Sequence, residues 1–187
     1  MSRAIYLFRN IRTKQVVATT ERSLLARPEH LRSQTQPSTY LPQPAMRPDH
    51  WTPLVVATGW ATDQALSNAF ALVSQRGSPL VPPTERQKRE YLLMKNKDKR
   101  IADKDTTERQ VAQLARSLVY VEAVRPNLVP SGEKIRLLWQ DREWIAKVEE
   151  AGLKWPAWVE HGDLDLKRGN IILNPEVRST RVAGSAN

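Results

Sequence analysis

Six prolines, at positions 28, 37, 42, 44, 48 and 53, interrupt the first third of this 187-residue chain. Proline lacks a backbone donor and drives the residue before it out of the helical region, so no long helix passes through Tyr40 to Pro53. Residues 21–53, with the polar run "RSQTQPST", therefore read as an extended proline-rich arm. The remainder is long enough for one domain with a real core, but not for two.

Ahead of the arm, "AIYLFRNIRTKQVVATTER" places two apolar runs, Ile5 to Phe8 and Val16 to Ala18, around a polar stretch. β-Branched and aromatic residues flanking such a break predict a hairpin. Arg9, Arg12 and Lys14 crowd its turn, and no acid occurs before Glu21. Behind the arm, Leu54 to Thr58 reads as a buried strand ended by Gly59. Leu66, Ala69, Phe70 and Val73 then lie at helical spacing, with Gly77 as the stop. A highly charged helix is expected over residues 85–109. Asp105, with Glu108 three residues on, opens a further helix whose apolar face is Val111, Leu114, Leu118 and Val121. Ile135, Leu137 and Trp139 alternate as a strand. A helix begins after Asp141 and ends at Gly152, and Ile171 to Leu173 offers a last short strand. The expected fold is α+β: a small β-sheet with packed helices, an extended arm and a basic C-terminal tail. Residues 1–160 form one domain in this reading, and residues 161–187 the tail.

The 29 basic residues exceed the 20 acidic ones by nine, and the excess is uneven. Residues 1–50 carry eight cations against three acids and residues 85–109 nine against six, whereas residues 110–166 are net acidic. Such a distribution suits a polyanion, because each Lys or Arg that neutralises a phosphate releases a counterion. Candidate contacts to nucleic acid are Arg9, Arg12 and Lys14 in the hairpin and Arg22, Arg27, Arg32 and Arg47 along the arm. The central cluster "KNKDKR" adds Lys95, Lys97, Lys99 and Arg100, and the tail adds Lys167 and Arg168.

Other chemistries lack their residues. The chain has no cysteine, which excludes disulfides, thiolate zinc sites and thiol catalysis. His30, His50 and His161 are far apart and form no metal-ligand spacing, so no metal or cofactor is expected. No stretch approaches the roughly 20 apolar residues of a membrane helix, and no membrane partner is expected. The first twenty residues are basic and acid-free, as in an import presequence, but Ala4 to Phe8 read as a strand, so any signal here is expected to be retained.

"HGDLDLKRGNIIL" resembles the catalytic loop of aminoglycoside and choline kinases. However, Asp163 and Asn170 are seven residues apart, where such a loop has about five. No phosphate-covering glycine loop precedes it, and catalysis is not expected.

Three segments in order, "IYLFRNIRTKQVV", "RPDHWTPLVVATGWATDQALSNAFALVSQR" and "IRLLWQDREWIAKVEEAGLKW", carry a family likeness. They resemble the fungal mitochondrial large-subunit ribosomal protein family that includes the mitochondrial homologous recombination protein. The likeness rests on Tyr6, Phe8, Arg9 and Asn10, on the strand and helix after Trp51, and on the region of Trp139. The central connection and "HGDLDLKRGN" fall outside it. The resemblance implies a structural component of the mitochondrial large ribosomal subunit, in the matrix, with its rRNA and neighbouring mitochondrial ribosomal proteins as partners. It implies as the alternative a mitochondrial DNA-binding protein acting in homologous pairing, recombination or transcription.

Overall fold

The structure is a computed structural model that describes residues 3–24, 34, 47–75, 83–99, 105–124, 134–168 and 171–173. Its centre is a five-stranded sheet in the order β2-β1-β3-β4-β5. The N-terminal hairpin forms as the sequence predicts, with β1 (Ala4–Asn10) antiparallel to β2 (Val16–Thr19). A 3₁₀ turn (Pro48–His50) leads into β3 (Trp51–Thr58), which pairs antiparallel with β1 and with β4 (Ile135–Trp139). The outer strand β5 (Val159–Asp163) runs parallel to β4. A small separate hairpin joins β6 (Leu166–Lys167) to β7 (Ile171–Ile172).

Four helices have defined bounds: α1 (Asp63–Val73), α2 (Glu85–Leu93), α3 (Thr107–Val124) and α4 (Glu143–Glu150). Three of them cover one face of the sheet. Ala65, Ala69 and Val73 of α1, Val111, Leu114, Ala115 and Leu118 of α3, and Val148 of α4 pack there against Ile5, Leu7, Val55, Ala57, Leu137 and Trp139. Helix α2 is different, since it buries none of its residues and is held locally. Thr84 and Gln87 make a capping box, and Arg86–Glu90 and Lys88–Glu85 ion pairs lie along it.

The opposite face of the sheet is also covered. Ala4, Tyr6, Phe8, Val17, Trp51 and Val56 form a second buried cluster with Leu24 and Ile172. Residues 4–8 are apolar without alternation because both faces of β1 are buried, the pattern ordinarily found in parallel sheets.

Several boundaries differ from the sequence reading, each for a local reason. β3 begins at Trp51, inside the segment assigned to the arm. The β1–β3 register shifts between Leu7 and Phe8, which pair with Val55 and Pro53, so Leu54 is the extra residue of a bulge and the proline stands beside it. The charged segment 85–109 is not one helix. Met94 turns extended (φ −62°, ψ 145°) and ends α2, residues 96–99 are helical again, and α3 starts at Thr107. Asp105 accepts from the Thr107 N–H at 2.9 Å and Asp141 from the Glu143 N–H at 2.9 Å, so each lies one residue outside the cap position. The sheet continues to Asp163, past the boundary drawn at 160, and Ile172 reaches the second core. Gly152 does end its helix, in the left-handed region at φ 82°. Gly152 N–H donates to Glu149 and Leu153 N–H to Val148, a Schellman closure. Gly77 lies outside the described residues.

Two positions give measurable consequences. Gly59, at φ 88°, follows β3 so closely that an added Cβ would stand 2.8 Å from the Lys134 carbonyl oxygen. Gly59→Ala is expected to cost about 2–3 kcal/mol in denaturant unfolding, because backbone strain and a backbone clash coincide. His161 on β5 accepts through Nδ1 from the Trp139 indole N–H at 2.9 Å, and Trp155 packs edge-on against it at 5.0 Å. Burial holds its pKa below the ordinary histidine value; Glu149 opposes this and Arg142 adds to it. As pH falls through about 6.5 the unfolded chain therefore takes up the proton first, and stability drops until the lower folded value is passed. The thermal midpoint is expected to fall across that window, and His161→Gln, which keeps an acceptor without titrating, is expected to flatten the dependence.

Candidate nucleic-acid interface

The hairpin turn is built by Asn10. Its buried side-chain oxygen accepts from the N–H groups of Arg12 and Thr13, both at 3.0 Å. Its backbone carbonyl accepts from Lys14 at 2.9 Å, and its N–H donates to Gln15 at 2.8 Å. Lys14 adopts φ 61°, the left-handed conformation that turns the chain back into β2.

Two segments distant in sequence fasten this turn. The Ile11 N–H donates to the His50 carbonyl at 2.8 Å, which docks the 3₁₀ turn before β3. The Lys14 carbonyl accepts from the Thr106 N–H and the Thr107 hydroxyl, each at 3.2 Å, while the Thr106 hydroxyl accepts from the Val16 N–H at 2.8 Å. Donors at the start of α3 are thus satisfied by the hairpin. The turn is a braced projection, and residues 10–15, 47–50 and 105–109 meet at one end of the sheet.

Charge at this end follows from pairing. Arg9 is half-buried and reaches Asp105 at 3.6 Å, so an acid far off in sequence offsets one of the three hairpin cations. Its Nε is buried without a hydrogen-bond partner. Arg47 makes a two-pronged contact to Asp49, at 2.8 and 3.2 Å, and its hydrogen bond holds the Asp49 carboxyl below the usual carboxylate range. Among the described residues Arg12 and Lys14 have no ion-pair partner and are exposed, and Arg109 adds a partly exposed cation in the first turn of α3.

The other sequence-predicted contacts are dispersed. Arg22 donates to the Ile172 carbonyl and so ties the chain after β2 to β7. Lys95 and Lys97 are exposed beyond the end of α2 with no partner among the described residues, whereas Lys99 folds back onto it, donating to the Leu92 carbonyl at 2.9 Å with its ammonium 5.7 Å from the Tyr91 ring centre. Lys167 and Arg168 are exposed in the β6–β7 hairpin, Arg168 at φ 56°. Arg27, Arg32 and Arg100 lie outside the described residues. The sequence reading missed Arg109, which was counted within the charged helix; nothing local marks it, because its place beside the turn comes from the Lys14–Thr106 contact.

Where it is described, the kinase-like segment forms the end of β5 and β6. Asp163 accepts a bidentate contact from Arg142 at 2.6 and 2.8 Å, pinning the end of β5 to the start of α4; Asn170 lies outside the described residues. Among the described residues no group of three or more His, Asp or Glu side chains is placed to hold a metal ion, and no helix is long and apolar enough to cross a membrane.

Residues 2–76 are similar to the Mhr1 family, whose model is described as transcriptional regulation of mitochondrial recombination. The matched stretch contains β1, β2, β3 and α1, and with them the hairpin turn and the 3₁₀ turn that docks on it. No curated protein is matched.

Because Lys14 needs a left-handed backbone, Asn is the neutral replacement that tolerates it. Arg12→Ala with Lys14→Asn is expected to weaken binding to a DNA duplex and to reduce the slope of log affinity against log salt by about two. Arg9→Ala is expected to change that slope little. Filter binding across a salt series checks both.

Proposed function

We propose that this chain is a mitochondrial DNA-binding protein that acts in recombination or its transcriptional regulation by binding and aligning strands, without making or breaking bonds itself. The observation that carries the proposal is the coincidence of two facts: the Mhr1 match spans residues 2–76, and the unpaired cations Arg12 and Lys14 stand on a braced turn inside that span. Backbone phosphate contacts of this kind position a nucleic acid without specifying its sequence. That suits a protein whose partner is any pair of homologous strands.

The matched description speaks of mitochondrial recombination and not of the ribosome. Of the two roles implied by the sequence resemblance, the DNA-directed one therefore has the support, and the rRNA-binding role in the large subunit has none beyond basic charge. The absence of bond-making chemistry belongs to the same proposal, since Asp163 is occupied by Arg142.

Purified full-length protein is expected to promote joint-molecule formation between a single strand and a homologous duplex without added nucleotide, and the Arg12→Ala/Lys14→Asn variant is expected to do so poorly. Failure to pair homologous DNA, together with co-migration of the tagged chain with the large ribosomal subunit through a sucrose gradient of mitochondrial lysate, would replace this reading with the ribosomal one.

A further inference from the structure

The hairpin turn carries one side chain that its charge does not explain. Ile11 opens the turn between Asn10 and Arg12 and is 46% exposed, although β1 immediately before it is almost wholly buried. Isolated exposed apolar residues are common on protein surfaces and need no explanation by themselves. This one differs in its setting. Its N–H is held by the His50 carbonyl at 2.8 Å, the residue before it fixes the turn through two side-chain hydrogen bonds, and the turn is braced against α3 through Lys14. An unpaired cation follows it directly, and a second lies three residues on.

We propose that Ile11 is a wedge that enters between stacked bases of duplex DNA while Arg12 and Lys14 hold the flanking phosphates. The inference rests on the DNA-binding reading above and adds to it the manner of contact. Apolar side chains inserted at a base step partly unstack it and kink the duplex, and they work when the backbone that carries them does not yield. The three anchors of this turn supply that rigidity, and the adjacent cations supply the attraction that brings the duplex to the tip. An unstacked step would also be a place where a second strand could begin to test its pairing.

A duplex carrying 2-aminopurine at one position reports unstacking as a rise in fluorescence. With saturating full-length protein the wild-type chain is expected to give that rise. Ile11→Ala is expected to abolish most of it while leaving the salt slope of binding unchanged, and Ile11→Leu is expected to restore it. Since Ile11 is exposed and its anchoring bond is to the backbone, both variants are expected to keep the wild-type thermal midpoint. An Ile11→Ala protein that unstacks as the wild type does, beside an Arg12→Ala/Lys14→Asn protein that binds weakly, overturns the wedge and leaves the interface standing. Undiminished binding by the Arg12→Ala/Lys14→Asn protein overturns the interface and the wedge together.

Discussion

The reciprocal contact between Thr106 and the hairpin holds the two ends of the molecule's logic together. Thr106 donates its N–H to the Lys14 carbonyl and accepts the Val16 N–H on its hydroxyl, so one residue closes hydrogen bonds on both sides of the β2 entrance. An α-helix leaves its first N–H groups without internal partners, and a hairpin turn leaves carbonyls pointing outward. Joining them satisfies both deficits at once. The start of α3 is fixed by the hairpin, and the hairpin by α3, whose Val111, Leu114, Ala115 and Leu118 are in turn buried against the sheet. The basic turn thereby inherits the rigidity of the core.

The two-sided burial of β1 works in the same direction. Ile5 and Leu7 pack under the helices, while Tyr6 and Phe8, stacked with ring centres 6.3 Å apart, pack into the second cluster with Trp51 and Ile172. Fully burying such side chains contributes about 1.5–3 kcal/mol each. A strand held on both faces has little freedom to move its turn. The outer edge of β2 is occupied as well: the Gln34 side-chain amide accepts from the Ala18 N–H and donates to the Ala18 carbonyl, both at 2.8 Å. An edge already paired at Ala18 offers another strand no template there, so the exposed cations of the hairpin lie at its turn and not along its side.

The elements legible in the sequence were those with local signals. The hairpin, the α3 stripe of Val111, Leu114, Leu118 and Val121, the alternation of Ile135, Leu137 and Trp139, and the Gly152 stop each follow from spacing or a special backbone conformation. β5 was not legible, because "VEHGD" contains one strand-forming residue and its place comes from pairing with β4. The break after α2 was not legible, because residues 85–109 contain no glycine or proline and the good helix formers up to Leu93 give no reason to stop there. At the candidate interface, composition identified the hairpin cations, but partner assignment needed the fold. Asp105 is 96 positions from Arg9, and only the docking of α3 brings it to 3.6 Å.

That last point separates charge that is counted from charge that is available. On α2, Arg86 and Lys88 face Glu90 and Glu85; at the sheet end opposite the hairpin turn, Lys134 and Arg136 share Glu160, and Arg3 meets Asp63. Such exposed pairs contribute little to stability, about 0–1 kcal/mol each, but they cancel the field that a polyanion would feel. Arg12 and Lys14 are not cancelled, and they sit where the backbone is braced by three segments. Among the described residues, unpaired cations stand at the turn and also at Lys95, Lys97, Lys167 and Arg168, and of these only the turn is braced by three segments. The net charge of the chain sets the sign of its long-range attraction, and the pattern of pairing decides where that attraction ends.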